Sequence, residues 1–266
     1  MRADVALVQR GLVQSRERAQ ASISAGLVLL NGKPLAKPSI KVDENDELKV
    51  CGAEHPYVSR GGLKLEKALQ CFNLNPAGMV AMDIGASTGG FTDVLLQNGA
   101  KHVYAIDVGF GQLDMKLATD PRVTSMEHTN ARALSIDMFP ARPQLAVMDV
   151  SFISIKLILP SAFEVLGEEG RMISLIKPQF EAGRERLGKN GIVSKPAVHR
   201  DVLKSIVDFA PTLGWCVRAL DFSPIAGTEG NIEFLADFVP ACKCESSPTD
   251  AQIDELVRRA HGAGLR

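Results

Sequence analysis

Four charged residues stand where the chain passes from one predicted element to the next, and their types suit proton transfer. They are Lys64, Asp149, Lys177 and Glu233. Asp149 and Lys177 each follow an apolar run, and an isolated charge at the end of a buried strand is costly unless it is paired. A lysine whose pKa is lowered by burial or by a second cation can take a proton or stabilise an oxyanion, while carboxylates orient it. Alternatively, the four are solvated strand ends that form salt bridges.

A glycine-rich segment precedes the second of these residues. An apolar run from Val80 leads to Asp83, and a stretch of small residues leads to a helical pattern after Phe91. This order predicts a buried strand that turns tightly into a helix, where small residues let the backbone approach a ligand closely. The candidate cofactor-binding residues are Asp83, Gly85, Ser87, Gly89, Gly90 and Phe91. A tight packing turn without a ligand would have the same composition.

Residues beyond the turn indicate the type of cofactor. Asp107 stands 24 residues after Asp83, where an acid can accept hydrogen bonds from ribose hydroxyls, as in sites for NAD or for S-adenosylmethionine. The turn lacks the middle glycine that admits a pyrophosphate, and the later strands offer lysine and acids, so we favour the methyl donor. Asp149 and Asn130 are further candidates for contact with the cofactor, although Asn130 is as well explained by a simple loop. No Gly-Lys-Ser/Thr loop indicates phosphoryl transfer.

Strand and helix patterns alternate from residue 79 onwards. Strands are predicted at residues 79–84, 102–107, 123–127, 145–149, 172–176, 215–222 and 233–238, and helices at 91–97 and 197–213. Such alternation with apolar strands predicts an α/β fold with a parallel, doubly wound, Rossmann-like sheet. Ligands of such sheets bind beyond the carboxyl ends of the strands, where Asp83, Asp107, Asp149 and Lys177 fall.

The first 50 residues have a different character. Residues 2–41 hold seven basic and two acidic side chains, although the whole chain has a net charge of −1. Two short helices are predicted, the second with Ser15 as N-cap and Gly26 after its end, followed by strands near residues 27–30, 40–42 and 47–50 and a turn at Asn31-Gly32. A small basic α+β module is the electrostatic footprint of nucleic-acid binding, although a solvated helix face would also be basic.

Composition excludes other classes of protein. The 266-residue chain has no run of about 18 apolar residues and no apolar segment after its first residues, so we expect neither a membrane span nor a signal peptide, and we expect a cytoplasmic protein. Five scattered cysteines, with no second ligand pair for Cys242-x-Cys244, predict reduced thiols and no metal site. Gly and Pro in residues 51–56 predict a linker between two domains.

Two sets of motifs resemble known families. The N-terminal set is Arg2-x-Asp4, Gly11-Leu12, Ser15-Arg16, Ala19, Gly26-x-Val28, Asn31-Gly32-Lys33 and Lys37-Pro38-Ser39, which resembles the S4 RNA-binding domain. The second set is residues 59–65 (SRGGLKL), 83–92 (DIGASTGGFT), 107–113 (DVGFGQL), 148–154 (MDVSFIS), 176–181 (IKPQFE) and 230–233 (GNIE). Together they look like the TlyA family, in which an S4 domain is joined to a methyltransferase domain of the RrmJ/FtsJ type. The resemblance covers nearly the whole chain.

The resemblance implies a fold, a reaction and a set of functional residues. The implied fold is a class I methyltransferase doubly wound sheet at residues 57–240, preceded by an S4 domain at 1–50 and followed by a C-terminal tail and helix at 241–266. The implied reaction is S-adenosylmethionine-dependent 2′-O-methylation of ribosomal RNA, at a cytidine, on free RNA or ribosomal subunits, with no metal or membrane. The family's Lys-Asp-Lys-Glu tetrad falls on Lys64, Asp149, Lys177 and Glu233.

RNA contacts are expected from both parts of the chain. Residues with basic side chains in the S4 motifs, before the tetrad lysine and in the Gly183–Arg200 loop are the candidates: Arg2, Arg16, Arg18, Lys33, Lys37, Arg60, Arg184 and Arg186. Two other functions stay open at this point. One is a non-catalytic RNA-binding protein with a vestigial methyltransferase fold, and the other is a membrane-active protein, because TlyA relatives are often called haemolysins.

Overall fold

The structure is a computed structural model. It describes residues 1–13, 16–24, 27–50, 55–227 and 230–265, without the side chains of Glu17, Arg18, Ala21 and Ser24. The chain divides into two compact units, Met1–Pro56 and Tyr57–Arg266. The predicted caps Ser15 and Gly26, the first four linker residues and the Arg18 side chain lie outside the described residues.

The first unit packs two short helices against a small antiparallel sheet. Its elements are α1 (Ala3–Gln9), α2 (Arg16–Ser24), β1 (Val28–Leu30), β2 (Lys33–Pro34) and β3 (Leu48–Val50), with the strand order β2-β1-β3. Asn31 and Gly32 both have positive φ angles, as a two-residue type I′ hairpin turn requires. The predicted strand at residues 40–42 was wrong, because Lys41 forms only an isolated bridge to Arg2, beside α1 rather than beside a strand.

The second unit is built on a seven-stranded sheet. Its helices are α3 (Gly62–Cys71), α4 (Gly90–Gln97), α5 (Met115–Ala118), α6 (Leu159–Leu166), α7 (Pro178–Glu181), α8 (Pro196–Phe209) and α9 (Asp250–Gly262). Its strands are β4 (Val80–Ile84), β5 (His102–Ile106), β6 (Val123–Met126), β7 (Leu145–Met148), β8 (Arg171–Ile176), β9 (Trp215–Phe222) and β10 (Phe234–Pro240). The strand order is β6-β5-β4-β7-β8-β10-β9.

Helices cover both faces of this sheet, as the alternation predicted. Leu145 and Val147 of β7 join one apolar cluster with α3, α4 and α5. Ala146 and Met148 join another with α6, α8 and α9. Because successive strand residues point to opposite faces, one apolar run supplies both cores. The C-terminal helix α9 therefore packs into a core of this unit.

One strand departs from the predicted parallel arrangement. The strands β6, β5, β4, β7 and β8 are parallel, but β10 is antiparallel to both β8 and β9. A crossover between parallel neighbours needs a dozen or more residues and usually a helix. The short connection from Phe222 to Phe234 contains no helix in its described part, so β9 and β10 pair as a hairpin.

The cysteines differ from their predicted state. Cys216 of β9 and Cys244 are joined by a disulfide, so the prediction of reduced thiols was wrong for this pair. The two cysteines stand 28 positions apart and the sequence gave no sign of their proximity, which results from the antiparallel return of β10 along β9. Cys71 and Cys242 are free and exposed. Across the described ranges, no three His, Cys, Asp or Glu side chains are grouped so that they could hold a metal ion.

The helices are short. The longest described helix, α8, has 14 residues, and its apolar face is buried through residues such as Val202 and Ile206. In the part of the chain that the structure describes, none of the helices has the length and apolar character needed to cross a membrane.

Candidate active site

The polar residues that end the strands meet at one edge of the sheet. Asp83 lies near the carboxyl end of β4, and Asp149 and Lys177 directly follow β7 and β8. Since β10 runs the other way, its first residues lie beside the end of β8, with Phe234 opposite Ile176. The reversal therefore brings Glu233, which precedes β10, to the same edge as Lys177. Lys64 reaches this edge from the first turn of α3.

The four predicted catalytic residues form one ionic network. The Lys64 Nζ atom lies 2.6 Å from Glu233 Oε2 and 3.7 Å from Asp149 Oδ2. The Lys177 Nζ atom lies 2.5 Å from Asp149 Oδ1 and donates a hydrogen bond of 2.9 Å to Ser151 Oγ. Asp149 therefore links the two lysines, and all four side chains are at most 20% exposed. Such a shielded network differs from a set of separate solvated strand ends.

The surroundings of Lys64 raise the pKa of its ammonium group. Burial lowers the pKa of the Lys64 ammonium, but the nearby carboxylates of Asp149 and Glu233 outweigh burial and hold the pKa above its ordinary value. The lowered lysine pKa that would suit proton removal is therefore not found at Lys64. This residue remains a cation that can donate hydrogen bonds, so it suits orientation of a hydroxyl rather than removal of its proton.

A cavity of about 230 Å³ opens beside this network. Its lining includes all four network residues and most of the candidate cofactor residues, namely Asp83, Gly85, Ser87, Gly90 and Phe91. Asp83 is fully buried, and its Oδ2 accepts a hydrogen bond of 2.6 Å from Thr92 Oγ1, whereas Oδ1 has no hydrogen-bond partner among the described residues. Burial, with the carboxylates of Asp149 and Asp107, raises the pKa of Asp83 to about 7. A buried acceptor without a partner at a cavity wall is suited to a cationic ligand.

Two glycines of the turn have no room for a side chain. A Cβ atom on Gly85, whose φ angle is 83°, would lie 2.5 Å from the backbone oxygen of Asp149. A Cβ atom on Gly90, the first residue of α4, would lie 2.3 Å from Ser59 Oγ. The turn thus lies directly against the ends of β7 and α3. Gly89 caps α4 in the left-handed conformation and packs against Leu117 without lining the cavity.

Asp107 lies beside a smaller neighbouring cavity. Its carboxylate accepts hydrogen bonds from the backbone N–H groups of Ser87 (2.8 Å) and Gly109 (2.7 Å), so it is held rigidly after β5. Ala86 and Ser87 line both cavities, which makes the two spaces adjacent. Asn130 lines neither cavity, and its side chain instead caps the short helix Ala131–Ala133 by accepting from the backbone of Arg132.

The predicted RNA-binding residues are spread over both units. Arg2, Arg16, Lys33 and Lys37 belong to the first unit, where all four are exposed. In the second unit, Arg60 is exposed and lies between the cavity-lining residues Ser59 and Gly61. Arg184 is exposed, whereas Arg186 forms an ion pair with Asp201 of α8.

Sequence reasoning missed three residues that support these groups. Ser151 accepts a hydrogen bond from Lys177, and Thr92 donates one to Asp83. Glu181 accepts from Ser154 Oγ and from the backbone of Ile155, which ties α7 to the loop after Asp149. Ser151 stands only two positions after Asp149, and this short spacing is the one signal that could have marked it.

Comparison with known proteins agrees with this geometry. Residues 57–238 match the FtsJ-like methyltransferase family, and residues 1–48 match the S4 domain. A Bacillus subtilis protein, YqxC, whose name proposes an rRNA methyltransferase, is 52% identical over 88% of this chain and 84% of its own length. The 16S/23S rRNA (cytidine-2′-O)-methyltransferase TlyA of Mycobacterium tuberculosis is 42% identical over 88% of both chains.

The chain belongs to the TlyA family.

One solved structure is similar to this chain over nearly its full length. A Streptococcus thermophilus protein, whose name proposes a hemolysin, superposes with a TM-score of 0.80 at 50% identity, covering 99% of this chain and 96% of its own. Membership of the TlyA family confirms the predicted α/β methyltransferase fold and the S4 domain before it. The proteins similar to this chain therefore include one named for RNA methylation and one named for haemolysis.

Proposed function

We propose that this protein transfers a methyl group from S-adenosylmethionine to a ribose 2′-hydroxyl of ribosomal RNA, at a cytidine. The observation that carries the proposal is the Lys64–Glu233–Asp149–Lys177 network on the wall of a cavity that the glycine-rich turn also lines. The names of the TlyA relatives support RNA and cytidine as the target.

The residues at the cavity fit S-adenosylmethionine. The unpartnered Asp83 Oδ1 offers an acceptor to a cationic ligand, and Gly85 and Gly90 line the same cavity, where the absence of side chains lets a ligand approach the backbone closely. Asp107, fixed by two backbone N–H groups, would accept from the ribose hydroxyls of the cofactor. When bound, S-adenosylmethionine supplies an electrophilic methyl group on a positively charged sulfur.

The chain's own side chains handle the hydroxyl and its proton. A 2′-hydroxyl is a weak nucleophile until its proton is removed or its oxyanion is stabilised. Lys64, held as a cation by Asp149 and Glu233, donates to the hydroxyl oxygen and orients it. Lys177, with its Nζ between Asp149 Oδ1 and Ser151 Oγ, stabilises the oxyanion as a cation, or accepts the proton of the hydroxyl once its own ammonium proton has passed to solvent. The network therefore provides both alignment and charge stabilisation.

The proposal is tested by single-turnover methyl transfer to ribosomal RNA at saturating cofactor and RNA. Lys177→Ala should lower the rate by at least about 100-fold, which is the usual contribution of a positioned acid–base group. Lys101→Ala is the control, because Lys101 is exposed and does not line the cavity. A Lys177→Ala rate close to wild type would remove Lys177 from the mechanism, and no transfer by the wild-type chain to any ribosomal RNA substrate would overturn the proposed function.

The partners and location derive from the same proposal. The S4 domain supports binding to ribosomal RNA or ribosomal subunits, and we propose a cytoplasmic location because that is where such a substrate is found. A non-catalytic RNA-binding protein with a vestigial methyltransferase fold would not need the four-residue network. The second alternative, membrane activity, is supported only by the names of relatives. Dye release from liposomes, measured with the same preparation that methylates RNA, tests the second alternative, because lysis by the Lys177→Ala variant would reveal a separate activity.

A further inference from the structure

A buried carboxylate in the S4 unit holds two of the predicted RNA-binding arginines. Asp4 of α1 is fully buried. Its oxygens accept two hydrogen bonds from Arg2, through Nε and Nη2 at 3.0 Å each, and one from Arg16 Nη2 at 3.2 Å. Gln20 Nε2 adds another at 2.9 Å. One carboxylate therefore joins the residue before α1 to two residues of α2.

The two arginines remain accessible although their partner is not. The Arg2 side chain is 48% exposed and that of Arg16 is 55% exposed, whereas Asp4 is 0% exposed. A guanidinium has five N–H groups, and Arg2 directs two of them at Asp4 while Arg16 directs one. The remaining N–H groups form no hydrogen bond to a side chain or backbone group that the structure describes, so they can bond other acceptors. The arginines thus present a fixed pair of cationic groups at the surface.

We propose that Asp4 is a positioning residue for RNA recognition, which holds Arg2 and Arg16 in one arrangement that matches the phosphates of a folded RNA. This inference rests on the proposed function, since it assumes that the S4 unit binds RNA. Electrostatic attraction to phosphates does not explain why a carboxylate lies here, because the charge of Asp4 cancels one of the two positive charges of Arg2 and Arg16. A fixed pair loses less conformational entropy on binding, and it fits only phosphates at a matching separation.

Charge and geometry both support this role. Hydrogen bonds from Arg2, opposed by burial and reinforced by Gln20 and Arg16, hold the pKa of Asp4 well below its usual range, so the clamp stays ionised at neutral pH. Arg10 provides a contrast in the same unit, since its guanidinium donates to the backbone oxygens of Asp43 and Asp46 and serves the fold. The Asp4 clamp leaves cationic groups exposed, whereas the Arg10 contacts tie down a loop.

The test compares the affinity of the full-length protein for two RNAs. The probes are a folded ribosomal RNA domain transcript and polyuridine of equal length, measured without methyl donor over a range of salt. In Asp4→Asn the loss of a negative charge should strengthen binding to polyuridine. The preference for the folded transcript should nevertheless fall by about tenfold, because each arginine is released from its fixed position.

Asp46→Asn is the matched control. It makes the same change of charge in the same unit, and Asp46 bonds Asn31 and the backbone of Asp43 rather than an RNA-facing arginine. Preference for the folded transcript should be retained in this variant. An equal loss in Asp46→Asn, or an unchanged preference in Asp4→Asn, would overturn the proposal.

A double-mutant cycle separates positioning from a merely structural role. In a chain that already carries Arg2→Gln and Arg16→Gln, the further change Asp4→Asn should leave the preference unaltered, since there is nothing left to position. A further loss in that background would assign Asp4 to the fold instead. If Asp4→Asn does not fold, Asp4→Glu, which keeps the charge and displaces it, replaces it in the same cycle. Absence of methyl transfer by the wild type would defeat the proposed function but would not alter these binding results.

Discussion

Two buried residues of the candidate site, one basic and one acidic, differ in whether they keep their charge. Lys64 is buried between two carboxylates, so its charge is retained and its pKa rises. Burial, with a smaller effect of other acids nearby, raises the pKa of Asp83 to about 7 and disfavours its charge, although Thr92 donates a hydrogen bond to it. Burial opposes the charge of both side chains, and only at Lys64 do the neighbouring groups that the structure describes outweigh it.

The ionisation of Asp83 predicts a dependence of stability on pH. Between its unfolded pKa near 4 and its folded pKa of about 7, the folded protein binds the extra proton, so the free energy of unfolding falls as pH rises through this window. In Asp83→Asn, the free energy of unfolding should fall by roughly 2–4 kcal/mol less over the same pH window. Urea unfolding of both proteins at pH 4.5 and pH 8 measures the difference, and parallel pH profiles would show that Asp83 ionises normally.

The contact between Gly85 and Asp149 predicts a linked loss of stability and activity. Gly85 has a positive φ angle, and a Cβ atom at this position would meet the Asp149 backbone oxygen. Gly85→Ala must therefore displace the end of β7. We expect a loss of about 1–3 kcal/mol in unfolding free energy together with a lower single-turnover rate. Gly78→Ala is the control, because its φ angle is also positive but nothing lies within 4 Å of its Cβ position. An equal loss of rate in both variants would mean that backbone strain, and not Asp149, is responsible.

At the scale of elements, a single reversed strand completes the site. The parallel strands β4, β7 and β8 deliver their polar residues at or just after their carboxyl ends, but Glu233 precedes its strand and would lie at the far edge of an all-parallel sheet. The antiparallel pairing of β10 with β8 removes this difficulty.

On the opposite face of the sheet from α3, the helices α8 and α9 are joined by a histidine pair whose titration makes their packing sensitive to acid.

The histidine pair predicts that the packing of α8 and α9 weakens below neutral pH. His199 is fully buried, its Nδ1 lies 2.9 Å from His261 Nε2, and burial together with His261 lowers its pKa to about 4. Between pH 6.5 and about 4 the unfolded chain binds the extra proton, so stability is lost as pH falls through this window. Between about pH 7.5 and pH 5, the free energy of unfolding of His199→Gln should fall by about 2 kcal/mol less than that of the wild type. Thermal unfolding at the two values checks this, and identical losses would exclude His199 as the titrating group.

At the scale of the whole molecule, charge is divided between two units with separate cores. The net charge of −1 conceals a basic stretch at residues 2–41 of the first unit, and the apolar cluster of that unit contains none of the residues of the two sheet cores. Independent packing implies that a surface change in the first unit need not disturb the cavity in the second. Binding of RNA and binding of cofactor should therefore be separable by mutation.

This division predicts the effect of reversing charge in the S4 unit. Lys33→Glu with Lys37→Glu should weaken binding to ribosomal RNA and reduce its dependence on salt, because fewer phosphate contacts release fewer counterions. Affinity for S-adenosylmethionine, measured by calorimetry, should stay within about twofold of wild type. Lys101→Glu with Lys243→Glu makes the same charge change on the second unit as a control. Equal weakening by both pairs would indicate a response to net charge alone.

The sequence by itself indicated the seven strands of the second unit, a boundary between two units and the four residues that form the network. Local patterns were sufficient because apolar strands, the Asn31-Gly32 turn and the glycine-rich stretch are specified by neighbours in the chain. They were insufficient where partners are distant in sequence, as for the Cys216–Cys244 disulfide and the reversed β10.

Only the tertiary structure decided which charges meet and in which state. The sequence contains Lys64 and Glu233 but not the 2.6 Å between them, which arises because α3 and a reversed strand meet at one edge of the sheet. It contains Arg2, Asp4 and Arg16 as ordinary surface types, yet packing buries the acid and exposes both arginines. The physical reason is that pKa and hydrogen bonding depend on distance and solvent access, and these quantities exist only after the chain has folded.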